Sequence, residues 1–302
     1  MLANTGNEAP GMSQLKIRNI DFLFEDDVAF QWNPGHPGCG NMVNSTSFIA
    51  PAFERYFILA MRDAKKLIKD PALLAEAELF CRQEGQHSKQ HFAHVALLIR
   101  KYPGLEETRK QVWRSYENLL ASKDLKFHMA YMANLELLFA PLANYMVRNL
   151  EVLFGGSDQR IASFILWHLI EEFEHRSVAI KVYDHLFDDH RYRLKCEYAM
   201  IKHLWSDVGK IVREGLLEHV PASHNSISHV KTASIFKGTR GRLSFLMHCL
   251  DTLLPNHDPN AIEPPEWIQQ WLRDDEQGVD MARYYPPQPL ESPAPAISEI
   301  SA

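Results

Sequence analysis

The sequence predicts an all-α protein: a four-helix bundle with one long crossover and extra helices at its C-terminal end. Three observations carry this expectation. Apolar residues recur at helical spacing through four segments of about 20 residues or more, each on the order of 30 Å long at the α-helical rise. No segment shows the strict apolar–polar alternation of a half-buried strand. Brief Gly, Pro and Asp punctuation separates the first segment from the second and the third from the fourth. A longer connection carrying its own helix joins the two pairs, so the chain reads as two antiparallel hairpins and one crossover.

The elements follow in order. Residues 1–45 read as an irregular arm, with the loop-like run Asn33-Pro34-Gly35-His36-Pro37-Gly38. A first helix is expected to start between Ser47 and Pro51 and to run toward Lys69. Asp70-Pro71 then opens the second, because Asp accepts from unpaired amides and Pro suits the first turn. That helix stops at Tyr102-Pro103-Gly104. A shorter helix covers about 105–121. Asp124 caps a third long helix ending near Phe154, and Ser157 or Asp158 caps a fourth extending to about Phe187. Residues 46–189 thus form the bundle, and 190–284 a helical extension with helices near 191–217, 239–253 and 264–274. The Pro- and Ser-rich residues 285–302 read as a flexible tail.

Composition bounds the function. Of 302 residues, 46% are hydrophobic, enough for a large buried core, and 23% are charged, which excludes wholesale disorder. A net charge of −6 gives no footing for a nucleic-acid partner. Cys39, Cys81, Cys196 and Cys249 show no CxxC pairing, which argues against a disulfide scaffold or thiolate zinc site and suggests a reducing, cytoplasmic compartment. No apolar run reaches membrane-spanning length, and the first ten residues lack the pattern of a secretory signal. The stretch 235–254 mixes basic and apolar residues; it suits either a membrane surface or, better, a helix docked on the bundle.

The chemistry lies in two Glu-x-x-His pairs, Glu84/His87 on the second helix and Glu172/His175 on the fourth. Spacing of three places both side chains of a pair on one helix face. The first and third helices each add a carboxylate among apolar neighbours: Glu54 beside Phe57, Ile58 and Met61, and Glu136 beside Met132, Ala133, Phe139 and Ala140. Read singly, a helical Glu is solvated and Glu-x-x-His recurs by chance; six residues at matched positions of two hairpins are another matter. Burying one unpaired carboxylate costs several kcal/mol, four repel one another, and no Lys or Arg shares their stripes. Such a cluster needs cations, and two divalent ions balance four carboxylates. Two Glu plus two Glu-x-x-His motifs is the ligand set of ferritin-like di-iron carboxylate bundles. Oxygen and imidazole donors suit two iron ions, with manganese as the alternative. His168, one turn before Glu172, is either a third imidazole ligand or a core histidine. His91 and His94 suit an outer layer, a proton route or a half-solvated edge. Glu171 and Glu174 are expected to point away from the site, either to the surface or into a layer behind the ligands. Phe57, Phe80, Met132, Phe139, Phe164 and Trp167 lie one or two turns from these residues and read mainly as core.

The run Ser47-Phe48-Ile49-Ala50-Pro51-Ala52-Phe53-Glu54-Arg55-Tyr56-Phe57, with Arg62, Asp70-Pro71, Phe80, Gln83-Glu84, His87, His91, Glu136, His168, Glu172 and His175, resembles a ferritin-like family labelled predicted metal-dependent hydrolases. The resemblance covers about residues 45–187 and departs at Phe53, where Gly is expected. The trio His168/Glu172/His175 is also similar to the di-iron arylamine N-oxygenases, and that likeness implies a seven-ligand site of four Glu and three His. Three functions follow as expectations. The first is a di-iron oxygenase or oxidase acting with O2 and an electron donor on a small organic substrate, including N-oxygenation of an amine. The second is a two-metal hydrolase of esters, amides or phosphates. The third is iron storage or a metal-stabilised scaffold, which the arm and C-terminal extension suit poorly; those segments would instead cover the site or form a homodimer contact.

Overall fold

The computed structural model describes residues 15–224, 235 and 239–285. The tail beyond Tyr285 and the first part of the arm lie outside the described residues. So does most of the stretch between 225 and 238.

The chain forms an all-α, ferritin-like bundle. Its first hairpin is α1 (Pro37–Lys65) and α2 (Pro71–Lys101), crossed over by α3 (Leu105–Ser122). The second is α4 (Leu125–Val147), followed by a single-turn α5 (Leu150–Phe154), and then α6 (Gln159–His175) continued by α7 (Val178–Leu186). α1 packs on α2 and α4, α2 on α6 and α7, and α4 on α6 and α7, which closes the four-membered core. The starts match their sequence signals. Asp70 accepts from the Ala72 amide at 2.8 Å, Asp124 from Phe127 at 2.9 Å, and Asp158 from Arg160 at 2.9 Å.

Three boundaries differ from expectation. α1 begins ten residues before Ser47, because His36 Nδ1 accepts the Cys39 amide at 3.0 Å and Pro37 fills the first turn. The last nine residues assigned to the arm are therefore helical. Pro51 lies inside α1, not at its start, and removes the amide that would meet the Ser47 carbonyl. The third long helix ends at Val147, where Asn149 Nδ2 donates to the Tyr145 carbonyl at 2.8 Å. The fourth is interrupted at Arg176-Ser177, where the Arg176 guanidinium donates to the Phe173 and Pro259 carbonyls.

Beyond the bundle, the helix expected at 191–217 is α8 (His190–Ile201), a π-helical stretch (Lys202–Val208) and α9 (Gly209–His219). The π stretch places His203 between Tyr131 Oη at 2.9 Å and Ser115 Oγ at 3.0 Å. α10 (Thr239–Asp251) docks on α4, with Phe245 against Tyr145, and leaves Leu243, Leu246 and Met247 exposed. α11 (Glu266–Glu276) buries Ile268 and Trp271. The arm residues 15–36 have no regular structure yet lie on the bundle, burying Phe22, Val28, Phe30 and Trp32. Their backbone is met by Gln83 and Gln90 of α2, which donate to the Lys16 and Ile20 carbonyls at 3.0 and 2.6 Å. Among the described residues all four cysteines are free, and no helix is long and apolar enough to cross a membrane.

Candidate metal centre

Glu54 of α1, Glu84 and His87 of α2, Glu136 of α4, and His168, Glu172 and His175 of α6 converge in the middle of the bundle. All are buried; the most exposed, His168, is 3% accessible. Their spacing on each helix turns them toward the common core face, and apolar neighbours such as Phe57, Phe80 and Met132 seal that face from water.

The donor atoms form overlapping groups that could hold a metal ion. One is Glu84, Glu136, Glu172 and His175; others are His87, His168 and Glu172, then Glu54, Glu84 and His87, and Glu54, His91 and His168. Glu172 joins two of them. Its Oε1 lies 2.7 Å from His168 Nε2 and 3.5 Å from His87 Nδ1, while its Oε2 lies 2.9 Å from His175 Nε2.

The protein supplies too few donors for this much negative charge. Both oxygens of Glu54, Glu84 and Glu136, and Nδ1 of His87, are buried without a hydrogen-bond partner among the described residues. His175 Nε2 has a single proton site, yet it faces Glu172 at 2.9 Å and Glu84 and Glu136 at 3.3 Å each. Unpaired buried carboxylates of this kind are tolerated protonated or with a cation. A mixed set of oxygen and imidazole donors fits divalent transition metals, so the residues present fit the metal that the motif implies.

The other face of each imidazole is held. His87 Nε2 lies 3.0 Å from Glu171 Oε2, and Arg18 Nη1 donates to Glu171 Oε1 at 2.9 Å. His175 Nδ1 lies 3.1 Å from Gln83 Oε1, so Nδ1 carries the proton and Nε2 is left for the centre. His168 Nδ1 lies 2.8 Å from His91 Nε2, and a chain continues through Ser47 Oγ at 3.0 Å to His94 Nδ1 at 2.8 Å. Trp167 and Phe80 stand edge-on to the rings of His87 and His175, 5.0 and 4.9 Å between centroids.

Electrostatics follow from burial and crowding. Burial, then the neighbouring carboxylates, push Glu54 and Glu84 well above the usual carboxyl range, and Glu136 up to about 7. Burial opposes ionisation of Glu172 too, but the charge of His175 and bonds from His168, His175 and His87 outweigh it and hold Glu172 ionised. Burial disfavours charge on His87, yet Glu171 and Glu172 raise it to about 10. His168 is pushed down to about 4 by burial and by His87, and His94 down to about 3 by burial.

The structure decides between the alternatives left open for two groups of residues. Glu171 and Glu174 point away from the centre as expected, and they form an outer layer, not surface groups: Glu171 is fully buried, and both grip Arg18, with Arg18–Glu174 distances of 2.7 and 2.9 Å. His91 and His94 are likewise buried, not at a half-solvated edge. Sequence reasoning missed Arg18 and the role of Gln83. Gln83 adjoins the Glu84 motif and so carried a signal, whereas Arg18 sits in an aperiodic arm and carried none.

A family model described as predicted metal-dependent hydrolase matches residues 16–263. Neither curated proteins nor solved structures yield a match to this chain.

Proposed function

Because the chain belongs to the family of predicted metal-dependent hydrolases, we propose that it is a two-metal hydrolase. In this reading Glu54, Glu84, His87, Glu136, His168, Glu172 and His175 would hold the two ions. The observation that carries it is the set of buried carboxylate oxygens lacking protein donors. Two divalent cations held there would supply Lewis acidity for a water and for the reacting oxygen of an ester, amide or phosphate.

The chain's own residues do the rest. Glu54 and the pair His87/His168 gather on the Oε1 side of Glu172, and Glu84, Glu136 and His175 on the Oε2 side. Glu171, backed by Arg18, keeps the proton of His87 on Nε2 and leaves Nδ1 facing inward. Gln83 and His91 fix the rings of His175 and His168 in the same way. Phe80 and Trp167 keep water from the ring faces.

A second reading has its own support. A third imidazole, His168, buried beside Glu172 in a centre without thiolates, suits iron or manganese and the O2-dependent oxidation of a small organic substrate, such as N-oxygenation of an amine. One set of measurements separates the two. The protein is loaded anaerobically with Zn(II), Mn(II) or Fe(II), its metal content is measured, and model esters and phosphate esters are offered without O2. Cleavage that tracks metal content supports the hydrolase. No cleavage, with O2 uptake by the Fe(II) form, transfers the assignment to the oxidase. Glu136→Ala and His175→Ala should each lose tight metal binding; full metal content in both would overturn the centre itself.

A further inference from the structure

On the outer side of the α1/α2 hairpin, where α3 crosses it, lies a shallow, open cleft of about 390 Å³. Ile58, Phe92 and Trp113 give it an apolar lining, and Arg55 and Lys89 stand at its rim. Its position follows from the motifs of the centre. Arg55 and Gly85 directly follow Glu54 and Glu84 and so point about 100° away from them, out of the core and onto the outer face of the hairpin.

Three observations point to an occupant. Phe92 is 46% exposed, with the Arg109 guanidinium 5.5 Å over its ring, and together with Ile58 and Trp113 it leaves apolar surface that a ligand can cover. The two cations are weakly engaged: Arg55 stacks on Trp113 at 5.4 Å with its nearest carboxylate, Glu117, at 4.0 Å, and Lys89 is 3.3 Å from the exposed Asp21. Exposed pairs of this kind are weak because water screens them, so an incoming anion can replace them. The third concerns Gly85. A glycine in a helix interior is less stable than alanine, because it gives up more backbone freedom on folding. Nothing in the fold requires one here, because a Cβ at Gly85 would meet no atom within 4 Å. What a side chain there would change is the cleft, which Gly85 lines.

We propose that this cleft is a binding site, separate from the centre, for a hydrophobic carboxylate whose chain covers Ile58, Phe92 and Trp113 and whose anionic head pairs with Arg55 and Lys89. The test is calorimetric titration of the full-length chain, metal-free and metal-loaded, with dodecanoate below its micellar concentration and with dodecanol as the uncharged control. Dodecanoate should bind once per chain, and dodecanol about tenfold more weakly. The double variant Arg55→Gln/Lys89→Gln should lose about tenfold in dodecanoate affinity. Gly85→Leu, which fills the cleft, should abolish binding, whereas its metal content stays that of the parent. Gly85→Ala serves as the folding control. Equal affinity for dodecanol, or parental dodecanoate affinity in Gly85→Leu, would overturn the proposal. Metal uptake with no dodecanoate binding would overturn the cleft and leave the centre standing. Dodecanoate binding by a chain that takes up no metal would support the cleft and remove the centre.

Discussion

Arg18 shows how much one side chain can carry. Its guanidinium donates to Glu171, Glu174 and Asp275 and lies 5.2 Å over the Trp271 ring, joining the arm, α6 and α11. Glu171 in turn orients His87. Arg18→Gln should therefore leave a buried carboxylate underpaired, at a cost of about 3–5 kcal/mol in denaturant unfolding. It should also lower metal affinity by about 10–100-fold in chelator competition, the usual effect of removing support behind a ligand. Unchanged metal affinity would show that Glu171 holds His87 without help. The same scale shows what was legible. Glu54, Glu84, Glu136 and Glu172 could be placed together from sequence because carboxylates on apolar helical stripes contradict burial unless something binds them. Arg18 could not, since an irregular segment offers no period from which to infer what it faces.

Among the elements, the helix starts were readable where chemistry is local. Asp70, Asp124 and Asp158 cap as expected because their bonds span two or three residues. The interior positions of Pro51, the break at Arg176-Ser177 and the π stretch at 202–208 depend on packing against distant segments, which no local signal reports. His36 was hidden because its cap uses a ring nitrogen in a run that otherwise reads as a loop. Two glycines give predictions of opposite sign. Gly215 brings α9 against α3 so closely that a Cβ would sit 1.9 Å from Thr108 Oγ1, so Gly215→Ala should destabilise by about 1–3 kcal/mol through forced separation of the helices. Gly85→Ala meets open space and should stabilise by about 0.5–1 kcal/mol. Denaturant midpoints of the two variants check both; a destabilised Gly85→Ala would mean that the α2 backbone needs glycine there after all.

For the molecule as a whole, the bundle and the donors' convergence were legible together because they share one cause, helical periodicity with a charged interruption. The arm's path over α2 and the docking of α11 were not, since they rest on contacts far apart in sequence such as Arg18–Asp275. The buried charge also fixes how stability should respond to pH. In the metal-free chain Glu136 keeps its proton up to about 7 and His87 up to about 10, and Glu54 and Glu84 are raised as well. Groups raised in the fold contribute stability that is complete below their unfolded values, about 4.5 for Glu and 6.5 for His, and that is lost as pH rises through 7 and 10. His168 and His94, lowered to about 4 and 3, contribute in the opposite sense: their share is present above about 6.5 and lost as pH falls through those values. The metal-free chain should thus show partly cancelling trends. The metal-induced part does not cancel. Cations need Glu54, Glu84 and Glu136 ionised and His87 neutral, so binding expels protons and is opposed by acid. His168 is already neutral near pH 7 and imposes no such cost. The rise in melting temperature on adding Mn(II) or Zn(II) should therefore grow from about pH 5.5 to about pH 8.5, with protons released to a weakly buffered indicator dye as metal is added. A rise that stays constant across that range, with no proton release, would mean that the carboxylates are already ionised and paired within the protein, and the electrostatic case for captured cations would fall.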